Sequence, residues 1–191
     1  MTDPAYEKYR SNKIESGKLF QDFVVDACWN LLGLAIVQYS SQVYQQTIGE
    51  SKTGAEIKHD EQFAQTDNLW IEIAEKARPR PGDHVASGIY RNDNTWLYII
   101  GNYDTLFIFQ KTLLKILHQS GKWRILENRT QTSRGFLLSK KDAERYAAAI
   151  LQPRAATRIA KVIGDITKLG RELHEMARRD LAQLDLFVLD E

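Results

Sequence analysis

The chain has 191 residues, 43% of them hydrophobic, and a formal net charge of +1 at pH 7. This length and composition predict a globular protein with one substantial core, and they argue against a non-specific nucleic-acid binder that depends on a strongly basic surface. The single cysteine, Cys28, excludes an intramolecular disulfide and favours a reducing compartment. No apolar run is long enough to cross a bilayer and no signal-peptide pattern is present, so the sequence predicts a cytoplasmic protein without a membrane segment.

The first predicted element is a helix over residues 14–32. Apolar side chains recur along it at steps of three and four residues, and Gly33 ends the run. Cys28 lies on this apolar stripe, so we interpret it as a core residue rather than a nucleophile. Asp22 and Asp26 project nearly opposite the stripe, which predicts a solvated face for them.

Two strands are predicted further along, over residues 55–59 and 69–75, after a shorter one over 34–39. Side chains two residues apart in a strand share a face. Pairing the two strands with their isoleucines in one core would bring a set of charged side chains onto one surface. This set comprises Glu56, Lys58, Glu72 and Lys76, with Asp60 near the end of the first strand.

Two carboxylates and an amine on one surface are the groups that a metal-dependent phosphodiester hydrolase uses. Mg²⁺ prefers carboxylate oxygens and water, and the bound metal can acidify a water and neutralise charge on the phosphate. A nearby lysine would stabilise the attacking hydroxide or the pentacovalent phosphorus. Spacing alone leaves an alternative open, a solvated sheet face whose Glu–Lys pairs contribute little.

The segment from Gly54 to Lys76 resembles the core of the PD-(D/E)xK, or restriction-endonuclease-like, nuclease superfamily. The run Gly54-Ala55-Glu56 is similar to the first acidic element of that core, and Glu72 is similar to the second. The family would place a lysine where this chain has Ala74, and Lys58 and Lys76 flank that gap. The resemblance covers roughly residues 15–118 and implies an α/β fold whose central mixed sheet is flanked by helices.

This resemblance implies a Mg²⁺-dependent DNA endonuclease, restriction-like or related to mobile-element or phage conflict, in which Mn²⁺ can replace Mg²⁺. Glu56 and Glu72 would bind the metal, and Asp60 would be a further ligand. Lys58, or failing it Lys76, would assist the nucleophile. Because Ala74 departs from the family pattern, a catalytically inactive nucleic-acid-binding or assembly module of the same fold stays open.

The first helix of such nucleases often carries a glutamate near the metal. Gln21 occupies the corresponding edge of the apolar stripe. It would orient a metal-bound water, unless it lies simply on the surface.

Two groups of basic residues could contact the DNA backbone. Basic side chains near an aromatic ring suit a phosphate chain with a stacking platform, although solvated charge is the alternative. The residues are Arg78 and Arg80 in a proline-rich loop, and Lys122, Arg124, Arg129 and Arg134 around Trp123.

The remaining pattern predicts a strand pair over residues 95–100 and 105–109, followed by a helix over 111–118. We predict a nuclease core over residues 1–135 and a helical C-terminal extension over 136–191. The extension contains a heptad-like seam from Ile159 to Met176, which packs on the core or on a second subunit. Because cleavage of two strands requires two centres, the chain is predicted to form a homodimer.

Overall fold

The computed structural model describes residues 4–76 and 83–156. The chain divides into two compact units, Met1–Pro153 and Arg154–Glu191, and all eight described strands belong to the first. The predicted seam from Ile159 to Met176 lies outside the described residues. None of the described helices is both long and apolar enough to span a membrane.

Helices and strands alternate along the described chain. The helices are α1 (Pro4–Leu32), α2 (Gln42–Thr47), α3 (Phe63–Thr66), α4 (Lys111–Gln119) and α5 (Lys140–Tyr146). The strands are β1 (Ala55–His59), β2 (Asn68–Glu75), β3 (Val85–Ala86), β4 (Leu97–Gly101), β5 (Leu106–Gln110), β6 (Ile125–Glu127), β7 (Ser133–Ser139) and β8 (Ala149–Leu151). A 3₁₀ helix spans Gly88–Tyr90.

The first sheet is mixed and has the strand order β1-β4-β5-β8. Strand β1 runs parallel to β4, whereas β4–β5 and β5–β8 are antiparallel pairs. Helix α1 covers one face of this sheet, where Phe20, Val24 and Cys28 are buried in the same cluster as Ile57 and Ile99. The apolar stripe predicted for the first helix is therefore the surface that packs on the sheet, and Cys28 is a core residue.

The second sheet is antiparallel and has the order β3-β2-β7-β6. Its residues Leu69 and Ile71 share a buried cluster with Tyr98 and Phe107, which come from the other face of the first sheet. The first sheet thus lies between α1 and the second sheet. The mixed α/β class predicted from the sequence is confirmed at this level.

Strands β1 and β2 belong to different sheets, so the predicted pairing of these two strands is wrong. Ile57 of β1 faces the α1 layer, while Ile71 of β2 faces the layer between the sheets. Alternation within a strand specifies which side chains are buried together, but not which strand is the neighbour. The predicted strand over residues 34–39 is reduced to an isolated bridge between Gln38 and Ser51.

The segment after residue 135 continues the sheets. The boundary predicted there falls inside β7, which pairs along its length with β2. Strand β8 then adds to the first sheet beside β5. The division into compact units comes after Pro153 instead.

Candidate active site

One ammonium group lies against two carboxylates at the edge of the first sheet. Lys58 Nζ is 2.9 Å from Glu56 Oε1 and 3.4 Å from Glu50 Oε1. The second oxygen of Glu50, Oε2, accepts a hydrogen bond of 3.2 Å from the backbone N–H of Ile57. Strand β1 and the loop before it therefore build one cluster of alternating charge.

Glu56 is the most buried member of this cluster, with 1% of its surface exposed. Apart from its ion pair with Lys58, neither carboxylate oxygen has a hydrogen-bond partner among the described residues. Burial raises the pKa of Glu56 above its ordinary value, and the nearby Lys58 offsets only part of that effect. A buried carboxylate with unused lone pairs is a place where a cation would be stabilised.

Lys58 stays protonated across the physiological range. Burial would lower its pKa, but the negative charges of Glu50 and Glu56 outweigh burial and hold the pKa well above its ordinary value. Its side chain is still 35% exposed. Lys58 can therefore act as a fixed positive charge and cannot act as a general base.

Tyr98 lies beside Glu56 in the register between β1 and β4. Its ring is completely buried, and its hydroxyl has no hydrogen-bond partner among the described residues. Burial, followed by the negative charge of Glu56, raises the pKa of Tyr98 well above its ordinary value, and Glu72 adds to this effect. Tyr98 is thus a neutral phenol between carboxylates of the two sheets.

Glu72 is held by two serine hydroxyls on the second sheet. Ser87 Oγ donates to Glu72 Oε1 at 2.6 Å, and Ser133 Oγ donates to Glu72 Oε2 at 2.8 Å. Gly88 makes the first contact possible: its φ is +51°, and a Cβ there would lie 2.3 Å from the backbone oxygen of Glu72. The carboxylate is therefore fixed in position by residues that are distant in sequence.

A cavity of ≈ 720 Å³ is lined by residues of both sheets. Lys58, Asp60 and Glu72 all line it, and Tyr98 forms part of its wall, whereas Glu56 lies outside the lining. Helix α1 contributes Ser16 and Gly17. The predicted residues Lys58, Asp60 and Glu72 thus border one space although their strands do not pair.

Asp60 organises the backbone around this cavity. Its Oδ1 accepts hydrogen bonds of 3.1 Å from the backbone N–H groups of Gln62 and Phe63. Its Oδ2 accepts a bond of 2.8 Å from the N–H of Trp70, which ties the end of β1 to the start of β2. Both carboxylate oxygens of Asp60, a predicted metal ligand, therefore already accept hydrogen bonds from the backbone.

Lys76 and Gln21 do not line the cavity. Lys76 lies near Glu127, whose pKa is lowered mainly by a hydrogen bond from Arg134 and further by Lys76. Gln21 is half-buried on α1. Of the two candidate lysines, the structure places Lys58 beside the acidic residues.

The predicted DNA-contacting residues differ in whether they form ion pairs within the protein. Lys122 forms an ion pair of 3.1 Å with Asp142, and Arg134 forms one of 2.8 Å with Glu127. Arg124 and Arg129 are exposed. Arg78 and Arg80 lie outside the described residues.

The sequence prediction missed Glu50, Tyr98 and the serines that hold Glu72. Glu50 stands shortly before the Gly54 turn, so an acidic residue facing back along β1 could have been suspected. The serines carry no comparable signal, because Ser133 is 61 positions from Glu72 in the chain.

Comparison with known proteins identifies no relative. No protein-family model matches the chain, and no match is found among curated proteins or solved structures. Within the described part of the chain, no three His, Cys, Asp or Glu residues form a group that could hold a metal ion. The chemistry of the site must therefore be argued from its own geometry.

Proposed function

We propose that this protein is a Mg²⁺-dependent nuclease that hydrolyses DNA phosphodiester bonds, with a restriction-endonuclease-like core and its reaction centre at Glu56 and Lys58. The observation that carries the proposal is the buried carboxylate of Glu56, which has unused lone pairs and a permanently charged lysine at 2.9 Å. Buried charges and displaced pKa values are concentrated at reaction centres, because folding alone gains little from them.

No group of three possible ligands exists among the described residues, but two carboxylates are close enough together to serve a hard divalent cation that keeps several waters. Glu56 and Glu50 supply carboxylate oxygens on either side of Lys58, and Mg²⁺ commonly takes only one or two protein carboxylates and keeps several waters. The charge of a cation would also offset the burial that disfavours the ionised form of Glu56. When bound, Mg²⁺ would supply a Lewis acid for the phosphate and lower the pKa of a coordinated water.

The side chains have separable roles in this proposal. Lys58 reaches the cavity with its charge intact and stabilises negative charge that develops on a phosphate there. Glu72 is fixed by Ser87 and Ser133 but has lone pairs left over, since an ionised carboxylate can accept about four hydrogen bonds. It can therefore orient a water at the cavity wall.

DNA would bind across the surface that carries Arg124 and Arg129, whose exposed side chains suit phosphate contacts. The described residues contain one such centre, so cleavage of both strands of a duplex would use a second copy of the chain. The proposed nuclease would therefore act on duplex DNA as a homodimer.

The test is cleavage of supercoiled plasmid and of single-stranded circular DNA in Mg²⁺, in Mn²⁺ and in EDTA. Cleavage should require the metal and should be abolished in Glu56→Gln. Glu75→Gln, an exposed acid on β2, is the matched control and should cleave as the wild type does. Binding of DNA without cleavage in either metal would contradict the nuclease and would instead support an inactive nucleic-acid-binding module.

A further inference from the structure

We infer that the cavity beside Lys58 binds one unpaired nucleotide of a nucleic-acid strand, with its base against Trp70. This inference rests on the proposed function, because that function supplies the phosphodiester that is bound near Lys58. It adds a substrate class: strands with an unpaired nucleotide at the site of cleavage, rather than continuous duplex.

The size of the cavity favours a single nucleotide. At ≈ 720 Å³ it falls within the range of about 300–1,000 Å³ that is typical of small-molecule sites. A phosphate group alone would fill only a small part of this space, and a nucleotide paired inside a duplex can enter it only by being flipped out of the stack, which costs unstacking and unpairing free energy. A nucleotide that is already unpaired can enter without that cost.

Trp70 provides a platform for the base. Its ring packs over Gly135 of β7, where a Cβ would lie 2.8 Å from Trp70 Cε2. The absence of a side chain at Gly135 therefore makes room for the ring, and Trp70 remains only half-buried and lines the cavity. Its backbone N–H donates a 2.8 Å hydrogen bond to Asp60, so the strand that carries the ring is held in place before any ligand arrives.

The charges around the cavity add a requirement for a cation. Among the described residues, Lys58 is the one lysine or arginine in the lining, whereas Asp60, Glu61 and Glu72 are carboxylates. A nucleotide phosphate would be repelled by this excess of negative charge unless a divalent cation entered with it. Nucleotide binding in the cavity should therefore depend on a divalent metal.

The experiment measures tryptophan fluorescence while a short 5′-phosphorylated oligothymidylate is added in Ca²⁺ or in EDTA. In Ca²⁺ the tryptophan fluorescence of the wild type should change when the oligonucleotide is added, and this change should be absent in EDTA. Trp70→Phe should not show the fluorescence change, although it keeps an aromatic face and should still bind the oligonucleotide. The affinity of each variant is measured separately, by the anisotropy of the same oligonucleotide carrying a fluorescent label. Trp70→Leu should bind about tenfold more weakly or worse, because base–aromatic stacking is lost. Trp29→Leu, which changes a 61% exposed residue of α1 outside the cavity, should bind like the wild type.

The outcomes separate this inference from the proposed function. Equal affinities for Trp70→Leu and Trp29→Leu, or tighter binding of a blunt duplex than of the single strand, would overturn the cavity assignment even if plasmid is cleaved. Metal-dependent binding through Trp70 without cleavage of any DNA would support the cavity and overturn the nuclease. Thermal melting of each variant checks that the loss of affinity is not a loss of fold.

Discussion

The ion pairs of Lys58 differ from those found on an ordinary solvent-exposed strand. An exposed Glu–Lys pair contributes little to stability, but here one ammonium serves two carboxylates, one of which is 1% exposed. Burying such a group costs free energy, and the cation proposed above would offset part of that cost.

The two candidate lysines, Lys58 and Lys76, should differ sharply in how much they contribute to DNA cleavage. Lys58→Ala should lower plasmid cleavage by about a hundredfold or more, since a positioned charge on a reacting phosphate contributes on that scale. Lys76→Ala should lose at most a few-fold, because Lys76 lies near Glu127 and outside the cavity. Lys140→Ala removes a 50% exposed lysine and is the control. Small, equal losses for Lys58→Ala and Lys76→Ala would show that neither lysine assists the reaction.

The raised pKa of Glu56 should make stability depend on pH. The folded state binds this proton more tightly than the unfolded state, so the stability contributed by Glu56 is present below its unfolded pKa, near 4.3, and is lost as the pH rises through the folded pKa. Glu56→Gln removes this dependence and should melt at a higher temperature than the wild type at pH 7. The difference should shrink toward pH 4.

Circular dichroism melts from pH 4 to pH 8 measure this effect. Added Mn²⁺ should stabilise the wild type and leave Glu56→Gln unchanged, because a ligand raises stability only if it binds the folded state. A Glu56→Gln protein that is less stable than the wild type at pH 7 would mean that Glu56 is a structural ion-pair partner.

Individual elements were predictable wherever the information is local. The three- and four-residue steps through Phe20, Val24 and Cys28 identify the buried face of α1. The antiparallel β4–β5 pair follows from two apolar runs around a short turn. Local periodicity is a direct consequence of helix and strand geometry, so it can be read from the sequence alone.

The assembly of the site was less predictable, because it depends on contacts between distant segments. Alternation indicated that Glu56 and Lys58 share a face, and they do form an ion pair. The same pattern could not reveal that β1 and β2 lie in separate sheets. Nor could it show that Ser133 fixes Glu72, since that contact arises only from the pairing of β2 with β7.

The 3₁₀ helix at Gly88–Tyr90 is predicted to be intolerant of a side chain at its first position. Gly88→Ala would force an alanine to φ near +51° and place its Cβ against the backbone of Glu72, at a cost of about 2–4 kcal/mol. Gly17→Ala on α1 is the control, since a Cβ there meets nothing within 4 Å. It should be neutral or stabilise the protein by about 0.5–1 kcal/mol. Urea unfolding measures both, and similar stabilities would contradict the proposed close approach.

On the scale of the first compact unit, Lys58 borders a cavity that both sheets and α1 line, with Ser16 and Gly17 contributed by α1, while Glu56 lies beside Lys58 and outside that lining. This arrangement places charged groups where water is partly excluded, which would strengthen their interactions with the phosphate of the proposed substrate. The geometry of the centre thus depends on the complete described core and not on β1 alone.

The proposed cleavage of two DNA strands predicts a homodimer in solution. Light scattering at micromolar concentration should give about twice the chain mass of 22.0 kDa. A mass near 22.0 kDa with and without DNA would contradict the dimer and would limit the protein to one cut per encounter.

The most direct test of the reaction centre is anomalous diffraction from crystals soaked in Mn²⁺ together with a short DNA strand. We expect a manganese peak within about 2.0–2.6 Å of a carboxylate oxygen of Glu56, with Glu50 and Lys58 around it. A fully occupied manganese site elsewhere, with Glu56 still bound only to Lys58, would contradict it.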